Sequence, residues 1–283
     1  VPFEIYDFKG DLSVPVDNGN YFANFQITGQ NRLPMHTTIY GSYENEQDAL
    51  QRKTQYSMSL NGTWKFKLYK TPKEVPQDFM NKNFDDASWL PMQVPSNWQM
   101  NEAVPDRAIY TNTCYIFDAN PPLLPEKNPT GCYRQTFNLP ESWLNRDIIL
   151  KFGGVDSALR LWVNGKYVGY SEDSRLPAEF DVTKYLNAGT NTIAAEVRRF
   201  STGSYLEDQD VWQMSGIYRD VSLIARPKIR LKDWSIRTTF DREYKNATLR
   251  ATVYLETASV KPESVSDRIP DFGSYRAKLK LVD

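Results

Sequence analysis

The chain has 283 residues, 40% of them hydrophobic and 24% charged, which is the composition of a globular protein with a sizeable core. Lysine plus arginine total 34 against 35 aspartate plus glutamate. Nothing in that balance suggests nucleic acid or an anionic membrane as a partner, and no apolar run approaches the roughly 18 residues that span a bilayer.

Taken in chain order, residues 1–57 read as an extended arm. Strand-like pieces such as Phe3 to Phe8 are short and are interrupted by turn residues at Asp17 to Asn20. Val1-Pro2-Phe3-Glu4 carries no basic, apolar secretory pattern, and prior removal of a signal peptide leaves that observation silent on compartment. Glu44 to Lys53 predicts a short helix. From Met58 the chain changes to short β-rich runs between turn signals, the pattern of an all-β sandwich. Thr63 to Tyr69 alternates Trp64, Phe66 and Leu68 against Lys65, Lys67 and Tyr69, which predicts a half-buried strand. Pro121 to Pro125 predicts a loop. Ala158 to Tyr170 predicts a hairpin turning at Asn164-Gly165, since that dipeptide supplies the positive φ angles of a type I′ turn. Further strands are expected at Arg146 to Phe152, Thr190 to Arg198 and Ile217 to Ala225, with Trp64, Leu161, Val163 and Ile193 in the core.

Arg226-Pro227 reads as a domain boundary. Beyond it lie three strand candidates: Trp234 to Thr238, Ala247 to Leu255 and Ala277 to Val282. An immunoglobulin-sized sandwich needs about seven strands and ~100 residues. Residues 226–283 are therefore expected to be an incomplete sandwich, as in a piece of a longer polypeptide.

The residue inventory narrows the chemistry. With a single histidine, His36, a His-rich metal site is excluded and a histidine-activated nucleophile is disfavoured; His36 reads as a structural hydrogen-bonding residue. Cys114 and Cys132 make no zinc site and no disulfide framework. They read as buried free thiols, with a bridge between adjacent strands as the alternative. Gly153-Gly154, Gly165 and Gly169 do not fit phosphate-loop spacings. The most informative stretch is Gly203 to Asp220, where Glu207, Asp208, Gln209 and Asp210 lie between Tyr205 and Trp212. Carboxylates accept hydrogen bonds from hydroxyls and flat rings cover the C–H face of a sugar, so this stretch suits a polyhydroxylated ligand. A solvated acidic loop whose Trp212 belongs to the core is the plain alternative.

Several motifs then agree: Pro95-Ser96-Asn97-Trp98-Gln99-Met100, Ile109-Tyr110-Thr111-Asn112, Asn128-Pro129-Thr130-Gly131-Cys132-Tyr133-Arg134, Gly169 to Asp181, Asn31-Arg32-Leu33-Pro34 and the acidic loop. In this order, from Asn24 to Ala225, the chain resembles the N-terminal region of the large bacterial β-galactosidases, members of the family-2 glycoside hydrolases, more than their β-glucuronidase or β-mannosidase relatives. The resemblance implies an all-β fold: a jelly-roll, galactose-binding-like β-sandwich over 58–225, then a partial immunoglobulin-like β-sandwich over 226–283. It implies a β-galactoside as substrate and a catalytic β/α barrel as the partner of this piece. The acid/base and nucleophile glutamates and the barrel's magnesium ligands would lie outside this chain, which alone would be inactive. It further implies that Asp210 reaches the barrel pocket to hold sugar hydroxyls and a sodium ion, and that Asn112 lines the same pocket. Without the resemblance, Asn112 is a turn residue and Asp210 an exposed loop acid. Glu207 and Asp208 are expected to shape the loop through backbone hydrogen bonds. Some members place a second, structural magnesium against the arm. Of the matching positions here, Asn24 and Glu172 retain ligand groups, but Tyr21 and Thr202 stand where an acid is expected. A bacterial cytoplasm or periplasm and a homo-oligomeric whole enzyme fit the resemblance. A stand-alone, non-catalytic carbohydrate-binding module is the alternative function, and a purely structural domain a third.

Overall fold

The computed structural model describes residues 24–36, 43–112, 114–118, 120–207 and 210–257. In chain order the strands are β1 (Gly29–Gln30), β2 (Ser57–Ser59), β3 (Gly62–Tyr69), β4 (Leu90–Val94), β5 (Ile109–Thr111), β6 (Thr130–Leu139), β7 (Asp147–Phe152), β8 (Val155–Asp156), β9 (Ala158–Val163), β10 (Lys166–Glu172), β11 (Ala178–Asp181), β12 (Gly189–Arg198), β13 (Val211–Gln213), β14 (Gly216–Ile217), β15 (Val221–Arg226), β16 (Ile229–Phe240) and β17 (Ala247–Thr257). Two short α-helices join them, α1 (Glu46–Gln51) and α2 (Ser204–Glu207). A seven-stranded sheet in the order β1-β10-β9-β12-β6-β3-β4 faces a four-stranded sheet in the order β11-β7-β15-β2. The ladders are antiparallel, so the fold is the expected all-β sandwich.

The core follows from the side-chain period of two. Trp64 and Phe66 from β3, Tyr133 from β6, Leu161 and Val163 from β9 and Ile193 from β12 meet Ile148, Leu150 and Phe152 of β7, Phe180 of β11 and Leu223 of β15. All four residues expected in the core are buried. The outer face of the large sheet is covered as well. Phe79 and Trp89, from the connection between β3 and β4, pack with Tyr69, Cys132, Trp162 and Ala194. Strands β9 and β12 thus have apolar residues on both faces, and Tyr69, expected outward, is buried.

Local signals place the turns and the arm. Asn164 (φ 51°) and Gly165 (φ 77°) make the left-handed hairpin between β9 and β10. Asn45 caps α1, its side chain accepting the amide of Asp48. The strand expected over Ile217 to Ala225 is split into β14 and β15. The motif Asn31 to Pro34 crosses the sandwich edge: Asn31 Nδ2 donates to the Val168 carbonyl at 2.8 Å, Arg32 Nη1 to Ser171 Oγ and the Glu172 carbonyl at 2.9 Å, and the Leu33 amide to the Glu179 carbonyl at 2.8 Å. Gly169 is needed there, because a Cβ would stand 2.4 Å from the Gln30 carbonyl oxygen. His36 Nε2 lies 3.0 Å from Glu179 Oε2, the structural hydrogen bond expected of it. The strand and turn expected within Phe3 to Asn20, and the strand at Ala277 to Val282, lie outside the described residues.

After Arg226 the chain forms only the long β16–β17 hairpin among the described residues. Its register sets Trp234, Ile236 and Phe240 opposite Val253, Ala251 and Ala247, giving one apolar face.

Candidate functional site: the β5–β13 ribbon

Two short strands, far apart in sequence, build the site. Ile109 pairs with Gln213, Tyr110 with Trp212 and Thr111 with Val211. Asn112 follows the last residue of β5 and Asp210 precedes the first residue of β13, at the same end of the ribbon. The two residues singled out from sequence therefore flank one end of the same ribbon. The Tyr110–Trp212 pair puts both rings on one face of the ribbon. The Tyr110 and Trp212 rings are 5.6 Å apart, tilted by 55°, and Tyr110 donates its phenolic hydrogen to Asp210 Oδ1. That bond, ahead of a small desolvation contribution, raises the Tyr110 pKa above its ordinary value, because the carboxylate favours the protonated phenol.

Trp212 does not belong to the core, as the plain alternative had it. It does not pack inward: 58% of it is exposed, as is 49% of Tyr110. The reason is topological. The ribbon is an isolated two-stranded sheet, so its aromatic face has no second layer to cover it. Cross-strand ring contact fixes the indole instead.

The rest of the loop is anchored by other groups. Glu207, at the end of α2, accepts the Ser174 amide at 2.9 Å and the Ser174 hydroxyl. This is the backbone bonding expected of Glu207; Asp208 lies outside the described residues. Tyr205 donates to the Leu123 carbonyl, accepts from the Asn120 amide, and takes the Tyr115 hydroxyl on its own carbonyl at 2.9 Å. Phe117 packs on Phe200 and Tyr205 with ring centres 4.8 and 5.4 Å apart. Cys114 is exposed rather than buried, because it lies on this surface segment, where Thr111 Oγ1 donates to its carbonyl at 3.0 Å. Cys132 is buried in the large sheet and both thiols are free.

A polar cavity of about 20 Å³, room for one water, is lined by Asp156, Arg175, Arg199, Ser204, Glu207 and Ser215. Burial pushes the Asp156 carboxyl up to about 7, against the pull of Arg175. The cavity is too small for a sugar; the ribbon face is open and carries a carboxylate and two aromatic rings.

Neither metal expectation finds a complete ligand set here. Among the described residues no cluster of three or more His, Cys, Asp or Glu side chains is placed to hold an ion. At the ribbon tip Asp210 offers one carboxylate, which suits a hard cation whose remaining oxygens come from elsewhere. The arm-side magnesium does not fit. Glu172 is buried and already accepts the Tyr170 hydroxyl, the Thr202 hydroxyl at 2.7 Å and the Gly203 amide at 3.2 Å. With Thr202 in place of an acid, the carboxylate is satisfied by neutral donors, which occupy the oxygens an ion would need. Tyr21 lies outside the described residues.

Sequence reasoning missed Tyr110 as the partner of Asp210, and the pairing of the two strands. The only signal was an aromatic in the middle of each motif.

Residues 57–227 match the family model described as the sugar binding domain of glycosyl hydrolases family 2. The chain is 43% identical over 263 residues to a β-galactosidase of Psychromonas ingrahamii, covering 93% of this chain and 24% of that protein. It is 47% identical over 223 residues to a β-galactosidase of Vibrio cholerae, covering 79% of this chain and 21% of that protein. The chain thus spans under a quarter of the length of these curated relatives. Among solved structures, a β-glucuronidase from an uncultured Clostridium matches with a TM-score of 0.56 at 25% identity, over 72% of this chain and 35% of the other. A Ruminococcus gnavus β-glucuronidase matches at 0.53 and 20% identity, over 73% and 34% respectively, a likeness of fold alone.

Proposed function

Because the chain belongs to glycoside hydrolase family 2 and carries its sugar-binding domain, we propose that it is the N-terminal part of a retaining β-galactosidase acting on terminal β-D-galactosides. Residues 58–225 form its jelly-roll domain and 226–283 begin an immunoglobulin-like one. The observation that supports the reading is the pairing of β5 with β13, which brings Asn112 and Asp210 to one end of a ribbon with an exposed aromatic face. That face completes a galactose subsite whose remaining walls belong to a catalytic barrel. There two carboxyl groups about 5 Å apart would perform the double displacement. Asp210 accepts from sugar hydroxyls and lends one ligand to a sodium ion; Asn112 donates to and accepts from a neighbouring diol. Magnesium belongs with the barrel.

A galactoside is favoured over a glucuronide on two grounds. Identity to the galactosidases, 43% and 47%, far exceeds the 25% to the glucuronidase structure. In addition, the ribbon tip presents a carboxylate, which repels a uronate. The exposure of Tyr110 and Trp212 supports a second reading, a free-standing carbohydrate-binding module. Chromogenic β-galactoside and β-glucuronide offered to the full-length protein and to this 283-residue chain separate these readings. Cleavage of the galactoside by the full-length protein alone is expected. Turnover by the 283-residue chain, or preference of the full-length protein for the glucuronide, would contradict the proposal; galactose binding by the isolated chain would favour the module.

A further inference from the structure

We propose that Arg199 is a positioning residue of the Asn112–Asp210 pair, a side chain that fixes both strands of the ribbon to the sandwich; this rests on reading that pair as sugar-contacting. The ribbon has no sheet beneath it, so something else must set its angle. Arg199 follows the last residue of β12, is only 6% exposed, and its amide donates to the Pro129 carbonyl at 2.9 Å, which fixes its backbone to the large sheet. Its guanidinium then makes three bonds. Nη1 donates to Asp106 Oδ1, and Nη2 donates to the Arg107 carbonyl at 3.2 Å and to the Gln213 carbonyl at 3.4 Å. Asp106 and Arg107 lead into β5, and Gln213 ends β13. One planar fork therefore holds the base of both strands.

The clamp continues into the core. Asp106 Oδ2 accepts Trp98 Nε1 at 2.7 Å and Gln99 Nε2 at 3.0 Å, and Gln99 Oε1 accepts the Ser215 amide at 2.9 Å, just beyond β13. Trp98 is fully buried. From the clamped pair Ile109–Gln213 to the tip is three residues, roughly 10 Å at strand rise. A small rotation at the base is a larger displacement at Asn112 and Asp210, and misplacement by about 1 Å can cost around a hundredfold in rate. Arginine is required because lysine, a point donor, can pair with Asp106 but cannot span that carboxylate and both carbonyls. Arg199 acts through the ribbon and touches no sugar.

The test uses the full-length enzyme with Arg199→Gln, Arg199→Lys, Asp210→Asn and the double variant Arg199→Gln/Asp210→Asn. kcat and KM on a chromogenic β-galactoside are read beside hydrogen exchange of peptides covering 109–112 and 210–213. Expected for Arg199→Gln is a loss of at least about tenfold in kcat/KM, faster exchange confined to the ribbon, and unchanged exchange in β6, β9 and β12. Arg199→Lys should be intermediate in both readouts, and the double variant should lose less than the product of the two single losses. Unchanged ribbon exchange, or losses that multiply in the double variant, would overturn the proposal. Should Arg199→Gln fail to fold, Arg199→Lys decides by the same ribbon exchange. Should Asp210→Asn keep full efficiency, the sugar-contact reading fails, and ribbon exchange alone judges the clamp.

Discussion

At the scale of single residues, the environment of Asp156 makes a prediction opposite in sign to that of an ordinary salt bridge. Burial, above all, pushes its carboxyl from the ordinary aspartate range up to about 7. Between the ordinary aspartate value and that raised one, the folded state binds a proton that the unfolded chain has released, so stability falls as pH rises through that window. Asp156→Asn removes this cost. It should raise the melting temperature at pH 8 and change it little at pH 4. Each tenfold change in proton affinity is about 1.4 kcal/mol, which bounds the gain at about 4 kcal/mol. Melting measured at both pH values checks this, and equal destabilisation at both would contradict it. His36 and Glu207 were legible in sequence because each does what its type does commonly: a lone histidine pairs with a carboxylate, and a loop glutamate accepts amides. Trp212 and Cys114 were not, since burial depends on whether another layer covers the segment.

At the scale of elements, legibility followed local chemistry. The Asn164-Gly165 turn and the alternation of Trp64 and Phe66 with Lys65 and Lys67 need no tertiary information. β9 and β12 lack clean alternation because they are central strands buried on both faces. β5 and β13, at three residues each, are too short to show any period, and their pairing depends on contacts far along the chain. Leu161 on β9 is fully buried in the main cluster, so Leu161→Ala should cost about 2–5 kcal/mol; chemical denaturation showing less than about 1 kcal/mol would mean the core is misassigned. The β16–β17 hairpin is the converse case. Trp234, Ile236 and Phe240 are 42%, 51% and 58% exposed along its apolar face, and a two-stranded sheet alone is marginal. In this 283-residue chain its amides should exchange faster than those of β6, β9 and β12. Equal protection would show that the hairpin is covered.

At the scale of the whole molecule, the proposed role of the sandwich is that of a frame delivering one part of a sugar site. Its two sheets are closed by the arm, with Arg32 and Leu33 bonding to β10 and β11, and the aromatic ribbon stands clear of both. The family was readable from sequence motifs, and only the resemblance singled out Asn112 and Asp210. The exposed aromatic face, the Tyr110 bond and the Arg199 hydrogen bonds beneath it required the fold. The most direct test of the central claim is Asp210→Asn in the full-length enzyme, with kcat/KM on a β-galactoside measured beside thermal melting. Charge-assisted hydrogen bonds contribute about 1.5–3 kcal/mol, so efficiency should fall by about tenfold or more. The melting temperature should hold, because Asp210 is exposed. Unchanged efficiency, or a collapsed melting temperature, would contradict the account.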